Sequence, residues 1–207
     1  MKITDRIEVA QAPDDVWRFF DDIPQVAACL PGTTLTDHEG EDRYLGEVVI
    51  KAGPVRLEFE GAAEIIDRNE ADRTLQVEAT GADRKGRGQA ALLLDAALFP
   101  SGPGTTVDIA LDLTLSGAAA QYGRGMVSDV TTVLLGEFGE NVQTRLTAIS
   151  QGLDPDAVAT GKPASGLSFV LRAAQLALTR VFRRFFLPYE PPAPRRSSRT
   201  TMRKALR

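Results

Sequence analysis

Hydrophobic and polar residues alternate along much of the first 115 residues, in the pattern of an antiparallel sheet. In residues 55–65 the alternation is clearest, with Val55, Leu57 and Phe59 on one face and Arg56 and Glu58 on the other. Shorter segments of the same kind cover residues 3–10, 73–80, 89–98 and 105–115. The turns between the later segments are too short for crossover helices, so the pattern predicts an antiparallel meander of about six strands after the first one.

Helical periodicity is confined to two short segments and one long one. Residues 14–20, preceded by Pro13, and residues 24–29, stopped by Pro31 and Gly32, predict two short helices after the first strand. Between residues 117 and 150 apolar side chains recur every three or four positions, which predicts one long amphipathic helix. Its apolar face needs a partner, and the sheet is the surface available. The predicted fold class is therefore α+β, a curved antiparallel sheet wrapped around a long C-terminal helix.

The last 57 residues follow a different pattern. Residues 151–166, with Pro155, Gly161, Pro163 and Gly166, predict a flexible linker. Residues 167–187 predict a helix with large apolar side chains on one face and arginines on the other, which suits the plane of a membrane interface better than a span across it. The predicted membrane-binding residues are Leu171, Arg172, Leu178, Arg180, Val181, Phe182, Arg183, Arg184, Phe185 and Phe186. Residues 188–207, rich in proline and arginine, predict a basic disordered tail.

Formal charge separates the two parts of the chain. The whole sequence has a net charge of −4, but residues 1–159 contain 13 basic and 27 acidic residues, whereas residues 160–207 contain 11 basic residues and one acidic residue, Glu190. Such asymmetry indicates an anionic partner for the C-terminal part. A membrane surface is the favoured partner. A partner protein, the acidic body of the chain itself and nucleic acid are the alternatives, and nucleic acid fits least because the aromatics lie on an apolar helix face.

Residues with catalytic or metal-binding chemistry are few. The single cysteine, Cys29, excludes an intramolecular disulfide and, with no histidine nearby in the sequence, is expected to be a buried structural thiol. His38, the only histidine, lies among loop carboxylates and is expected in a solvated turn rather than a metal site. Residues 81–88 lack the order of a phosphate-binding loop and predict a β-hairpin turn. We expect no catalytic residue and no metal, and a cytoplasmic protein without a signal peptide, peripheral on the inner face of the cell membrane.

Short motifs spread over residues 1 to about 150 resemble the CoxG family, a family of carbon monoxide dehydrogenase subunits. They are Val16-Trp17, Ile23-Pro24, Cys29-Leu30-Pro31-Gly32, Tyr44-Leu45-Gly46, Val49-Ile50-Lys51-Ala52-Gly53-Pro54, Phe59-Glu60-Gly61, Gly86-Arg87-Gly88, Thr105-Thr106-Val107 and the run from Gly117 to Arg124. The resemblance implies a START-like, helix-grip fold of the SRPBCC superfamily with an apolar cavity beneath the long helix.

The same resemblance implies an accessory protein rather than an enzyme. Such proteins look like factors that recruit a molybdenum-containing dehydrogenase to the membrane or carry a quinone to it, so a bound menaquinone or ubiquinone is expected as the only cofactor. The alternatives are a recruitment adaptor without a ligand and, because related folds host catalysis, a small-molecule cyclase or hydrolase.

Small residues on the inner strand faces (Gly46, Gly61, Ala63 and Ala79) favour a hollow interior, although they could also serve sheet curvature alone. The residues predicted to line the cavity and bind the apolar ligand are Val48, Phe59, Leu92, Leu111, Leu113, Tyr122, Met126 and Val130.

Overall fold

The computed structural model describes residues 1–52 and 55–158, and these form one curved sheet with helices on its concave side. The elements are β1 (Lys2–Val9), α1 (Pro13–Asp21), α2 (Ile23–Cys29), β2 (Thr33–Glu39), β3 (Arg43–Ala52), β4 (Val55–Asn69), β5 (Thr74–Asp83), β6 (Gln89–Ser101), β7 (Gly104–Leu115), α3 (Gly123–Ser150) and α4 (Pro155–Val158). A 3₁₀ helix, Gly117–Tyr122, connects β7 to α3. The predicted order of elements and the α+β class are confirmed.

All seven strands pair antiparallel, in the order β1-β7-β6-β5-β4-β3-β2. The register shifts between Leu35 and Asp37 in β2 and between Ile65 and Asp67 in β4. An extra residue of this kind bends a strand and increases its twist. The sheet can therefore curl around α3 while its two edge strands, β1 and β2, stay apart.

The two short helices form where local signals favour them. Pro13 begins α1, Asp14 and Asp15 occupy its first turn, and Arg18 lies in its last turn, so the charges complement the helix dipole. Asp22 caps α2 by accepting a hydrogen bond from the Gln25 amide at 3.3 Å. The buried face of α1 packs into the main core, which the structure builds from β1, α1, β7 and the second half of α3.

The second half of α3 is anchored and the first half is not. Its buried side chains begin at Val133 and continue to Ala148. Asn141 donates to the Cys29 carbonyl at 2.9 Å, and the side-chain oxygen of Gln143 accepts from the Ala10 amide at 2.8 Å. Before Val133 no side chain of the helix is fully buried. One half of α3 is therefore part of the core, and the other half covers a space.

Three details differ from the sequence predictions. The long helix begins at Gly123, after a 3₁₀ turn, rather than at residue 117. Arg145, expected on the polar face of the helix, is only 2% exposed because its guanidinium donates to Gln25 at 3.0 Å and pairs with Asp156. That pair holds α4 against α3, so residues 155–158 belong to the folded body rather than to the predicted linker.

Candidate functional site

A cavity of about 450 Å³ lies between the concave face of the sheet and the first half of α3. Strands β3 to β7 supply its floor, α2 supplies one wall, and Met126, Val127, Val130, Thr131 and Leu134 of α3 supply the roof. The volume lies within the range of pockets that hold small organic ligands in proteins. It is also about fifteen times the space that one water molecule occupies in the liquid, roughly 30 Å³.

A row of glycines explains why the interior is hollow. Gly46, Gly61 and Gly81 lie directly opposite one another on β3, β4 and β5, and all three line the cavity. In the neighbouring inward row, Ala63 lies opposite Ala79. No side chain rises from the glycines and only methyl groups rise from the alanines, so the centre of the sheet leaves space that α3 cannot fill. The prediction that small inward residues leave a cavity is confirmed.

Gly61 has a second role in bringing two strands together. A Cβ atom at this position would lie 1.9 Å from the Thr80 carbonyl oxygen, a distance that no real Cβ atom reaches. At Gly81 a Cβ atom would meet nothing closer than the Glu60 carbonyl oxygen at 3.4 Å, which is ordinary contact. The close approach of β4 and β5 therefore requires glycine at position 61 but not at position 81.

The cavity is closed at one end and accessible at the other. Its lining residues near α1 and the β4–β5 turn are buried: Phe20, Ile65, Leu75, Ala96 and Ile109. Those near the β3–β4 hairpin and the start of α3 are partly exposed: Ile50, Leu57, Leu113, Leu115, Tyr122 and Met126. Leu30, where α2 ends, is the most exposed lining residue, at 39%. We call the accessible side the open end of the cavity.

The lining is almost entirely apolar. Among the described residues that line it, only Thr33, Tyr44, Thr80, Tyr122 and Thr131 carry a polar side-chain atom, and none carries a charge. General acid–base catalysis needs titratable groups within hydrogen-bond reach of the substrate. The lining residues offer no carboxylate, imidazole, ammonium or thiol for that purpose. Such a surface favours retention of an apolar molecule through burial rather than chemical change of it.

Seven of the eight predicted ligand-binding residues line this cavity: Val48, Phe59, Leu92, Leu113, Tyr122, Met126 and Val130. Leu111 does not, because it lies opposite Ile3 of β1 and is buried in the main core, where the anchored half of α3 covers the sheet. The sequence analysis missed the wall from α2 and the inward residues of β5, such as Leu75 and Val77. The alternation along β5 could have identified the latter. Contact of these residues with a ligand stays a prediction.

Cys29 and His38 take the places expected of them. Cys29 is fully buried where α2 ends, and burial raises the pKa of its thiol to about 11, so the thiol is a poor nucleophile. The His38 ring stacks on Tyr44 with 4.4 Å between ring centroids, and its Nε2 atom lies 3.2 Å from the Glu41 carbonyl oxygen. In the described part of the chain no group of three or more metal-ligating side chains comes together.

The turn between β5 and β6 is held by a buried carboxylate, and the predicted hairpin at residues 81–88 is confirmed. Arg87 binds Asp83 through two atoms, Nε at 2.8 Å and Nη2 at 2.7 Å, and the Glu58, Lys85 and Arg87 amides also donate to this carboxylate. The Arg87 guanidinium, followed by these amides, holds the pKa of Asp83 well below its ordinary value. The cluster is satisfied internally and fixes the turn beside the open end.

The predicted membrane-binding residues, from Leu171 to Phe186, lie outside the described residues, as do most of the predicted linker and all of the basic tail. Within residues 1–52 and 55–158 no helix is both long enough and apolar enough to cross a membrane.

Comparison with known proteins identifies the family and the fold. The sequence model of the CoxG family, which is described as a subunit of carbon monoxide dehydrogenase, matches residues 6–147. A search of curated proteins finds no significant match.

Solved structures with the same fold are distant in sequence. A conserved protein from Geobacillus kaustophilus is 20% identical with a TM-score of 0.65, over 71% of this chain and 95% of its own. The ZhuI aromatase/cyclase from Streptomyces sp. R1128 is 12% identical with a TM-score of 0.55, over 72% and 95%. A START superfamily protein from Mycobacterium smegmatis is 14% identical with a TM-score of 0.50, over 72% and 98%. At these identities the likeness shows the fold alone, which is START-like.

Proposed function

Since the chain belongs to the CoxG family of carbon monoxide dehydrogenase subunits, we propose that it is an accessory protein that binds an apolar ligand, a quinone or another lipid, and links a molybdenum-containing dehydrogenase to the membrane. The observation that carries the proposal is the apolar cavity of about 450 Å³. Hydrophobic burial favours a ligand there by about 25 cal/mol for each Å² of apolar surface removed from water.

The absence of charged groups from the described lining supports binding over catalysis. A cyclase or hydrolase would need polar groups that converge on the reacting atoms. The five polar side chains that line the cavity are hydroxyl groups with no acid or base beside them in the lining. The cyclase among the structural neighbours shares the fold, and a fold by itself does not carry an activity.

The membrane part of the proposal rests on the sequence of the C-terminal segment. Residues 160–207 contain eleven basic residues and one acidic residue, and residues 167–187 have the amphipathic pattern of an interfacial helix. Each basic residue close to an anionic leaflet adds about 1 kcal/mol to binding. In this proposal the segment holds the body, and with it the dehydrogenase, at the membrane surface.

Ligand binding is tested with the full chain and two double variants. Ala63→Leu/Ala79→Leu places two larger side chains inside the cavity, whereas Ala82→Leu/Ala91→Leu makes the same chemical change at two exposed positions of β5 and β6. Mass spectrometry of organic extracts is expected to detect a quinone or lipid in near-stoichiometric amount with the wild type and the exposed-position variant, and much less with the cavity variant. An empty wild-type protein that also takes up no added quinone would refute the ligand and leave a recruitment adaptor.

Membrane linkage needs a separate test in cells that contain the partner dehydrogenase. Arg180→Glu/Arg183→Glu/Arg184→Glu is expected to move both this protein and the dehydrogenase from the membrane pellet to the supernatant. The matched variant with lysine at the same three positions keeps the charge and should leave both in the pellet. Dehydrogenase that stays in the pellet with the glutamate variant would contradict the linkage.

A further inference from the structure

Charged residues of the body are segregated between the two ends of the sheet. The end that contains α1, the β2–β3 turn and the β4–β5 turn is acidic, with Asp14, Asp15, Asp21, Asp22, Glu39, Glu41, Asp42, Glu70 and Asp72. Its arginines are all neutralised: Arg18 pairs with Asp15 at 2.9 Å, Arg43 with Glu39 at 3.0 Å, Arg68 with Asp21 at 3.2 Å and Arg73 with Asp14 at 2.6 Å. This end therefore presents a surplus of negative charge.

The opposite end carries the reverse charge. We call it the basic end and define it by Lys51, Arg56, Arg84, Lys85, Arg87 and Arg124. No acidic residue occurs in the connections 84–88 and 116–124.

Three of these six cations have a carboxylate partner and three do not. Arg56 pairs with Glu58 at 2.6 Å, Arg84 with Glu47 at 3.1 Å and Arg87 with Asp83 at 2.7 Å. Lys51, Lys85 and Arg124 are exposed and make no ion pair with any residue in 1–52 or 55–158. The basic end therefore presents free positive charge, which the acidic end does not.

The basic end coincides with the open end of the cavity. Lys51 follows the lining residue Ile50, Arg56 precedes the lining residue Leu57, and Arg124 lies between Tyr122 and Met126. Lys51 and Arg56 are also directly opposite each other in the β3–β4 pair. Like charges in that position destabilise a sheet, so the sequence keeps them at a cost to the fold.

We propose that the basic end is the surface through which the open end of the cavity docks on an anionic lipid bilayer to exchange its ligand. The inference rests on the proposed function, because it assumes that the cavity holds an apolar molecule. Such a molecule is poorly solvated by water, so exchange is fastest when the open end faces the hydrocarbon directly. Exposed cations beside apolar side chains are the chemistry that binds the interface of an anionic membrane.

The charge distribution also orients the body. An anionic bilayer attracts the basic end and repels the acidic end, so the open end turns towards the lipid before contact. A bilayer fits better than an acidic protein, because the partly exposed apolar side chains of Leu30, Leu57 and Met126 surround the same opening.

This surface is separate from the C-terminal segment. The described chain ends at the far end of α3, whose 28 residues span about 42 Å. Residues 159–166 reach at most about 27 Å when fully extended. The basic end and a helix at residues 167–187 therefore meet the same bilayer only when α3 is inclined by at least about 50° from the membrane normal, given those lengths.

The test measures transfer of a fluorescent hydrocarbon, decylpyrene, from vesicles to the full-length protein. The vesicles contain phosphatidylcholine with or without phosphatidylglycerol. Lys51→Gln/Lys85→Gln/Arg124→Gln removes the three free cations. Arg6→Gln/Arg18→Gln/Arg43→Gln removes the same charge from exposed arginines elsewhere on the body. All variants keep the C-terminal segment, and the rate is expressed per vesicle-bound protein, as measured by sedimentation.

The wild type and the arginine control are expected to extract decylpyrene much faster from vesicles with phosphatidylglycerol. The basic-end variant should lose this advantage, with a rate at least about tenfold lower, since each cation near an anionic leaflet is worth about fivefold. Wild-type rates that ignore phosphatidylglycerol, or equal rates for the two triple variants, overturn the inference while the cavity still binds its ligand. No uptake by any form, even from detergent solution, removes the proposed function and this inference with it.

Discussion

Filling the cavity should make the protein more stable and at the same time remove its ligand binding. Ala63→Leu/Ala79→Leu adds six carbon atoms to two side chains that lie opposite each other and face the cavity. At about 0.8 kcal/mol for each buried methylene, the added burial is worth about 5 kcal/mol, and ordering two leucines costs about 1–2 kcal/mol of it. The net gain is about 3 kcal/mol, which corresponds to a rise in Tm of about 6–12 °C for a body of this size.

The assay is thermal unfolding of the ligand-free protein, followed by circular dichroism, beside quinone binding. The exposed-position variant, Ala82→Leu/Ala91→Leu, should stay within about 0.5 kcal/mol of the wild type and bind normally. If the interior were a filled core, the two leucines would overpack it and lower stability by about 1–3 kcal/mol. A cavity variant that is less stable than the wild type would therefore refute the hollow interior, and with it the reason for expecting a ligand.

Two further predictions concern the strands that form the cavity floor. Gly61→Ala should lower the free energy of unfolding by more than about 3 kcal/mol, because its Cβ atom would overlap the Thr80 carbonyl, whereas Gly81→Ala should change it by less than about 1 kcal/mol; urea titration compares the two, and equal effects would contradict the close approach of β4 and β5. Asp83→Asn should destabilise the protein at neutral pH, because Arg87 and backbone amides depress the pKa of Asp83 in the folded state, and the difference from wild type should persist above about pH 4 and shrink as the pH falls below it; urea titrations at several pH values measure this difference, and one that widens in acid would reverse the assigned sign.

The sheet could be predicted from the sequence because its signal is local. Alternation in β4 places Leu57 and Phe59 on one face whatever the rest of the chain does, and the glycines at positions 46 and 61 mark an inner face without side chains. The burial of Arg145 could not be predicted in this way. It depends on Gln25 and Asp156, which come from distant parts of the sequence and meet the guanidinium only in the folded protein.

The limits of the cavity were also beyond the sequence. Leu111 and Leu113 belong to the same inward face of β7, and only the position of α3 decides that the first is buried in the core and the second lines the cavity. The helix pattern gives a continuous apolar stripe from Met126 to Leu146 and does not show that only the second half packs tightly. Periodicity identifies which face is apolar, and tertiary packing decides what that face touches.

The composition of the lining limits how this protein can select a ligand. A surface without charges, with five hydroxyl groups among the described residues that line it, offers little directional recognition, and one of these hydroxyls, that of Tyr44, donates at 3.4 Å to the Glu41 carbonyl instead. Apolar burial is not directional, so the volume of about 450 Å³ decides how much of a ligand is held. Any longer part must leave through the open end, beside Lys51 and Arg124. The cavity therefore selects by size, and chemical selection falls to whatever the basic end meets.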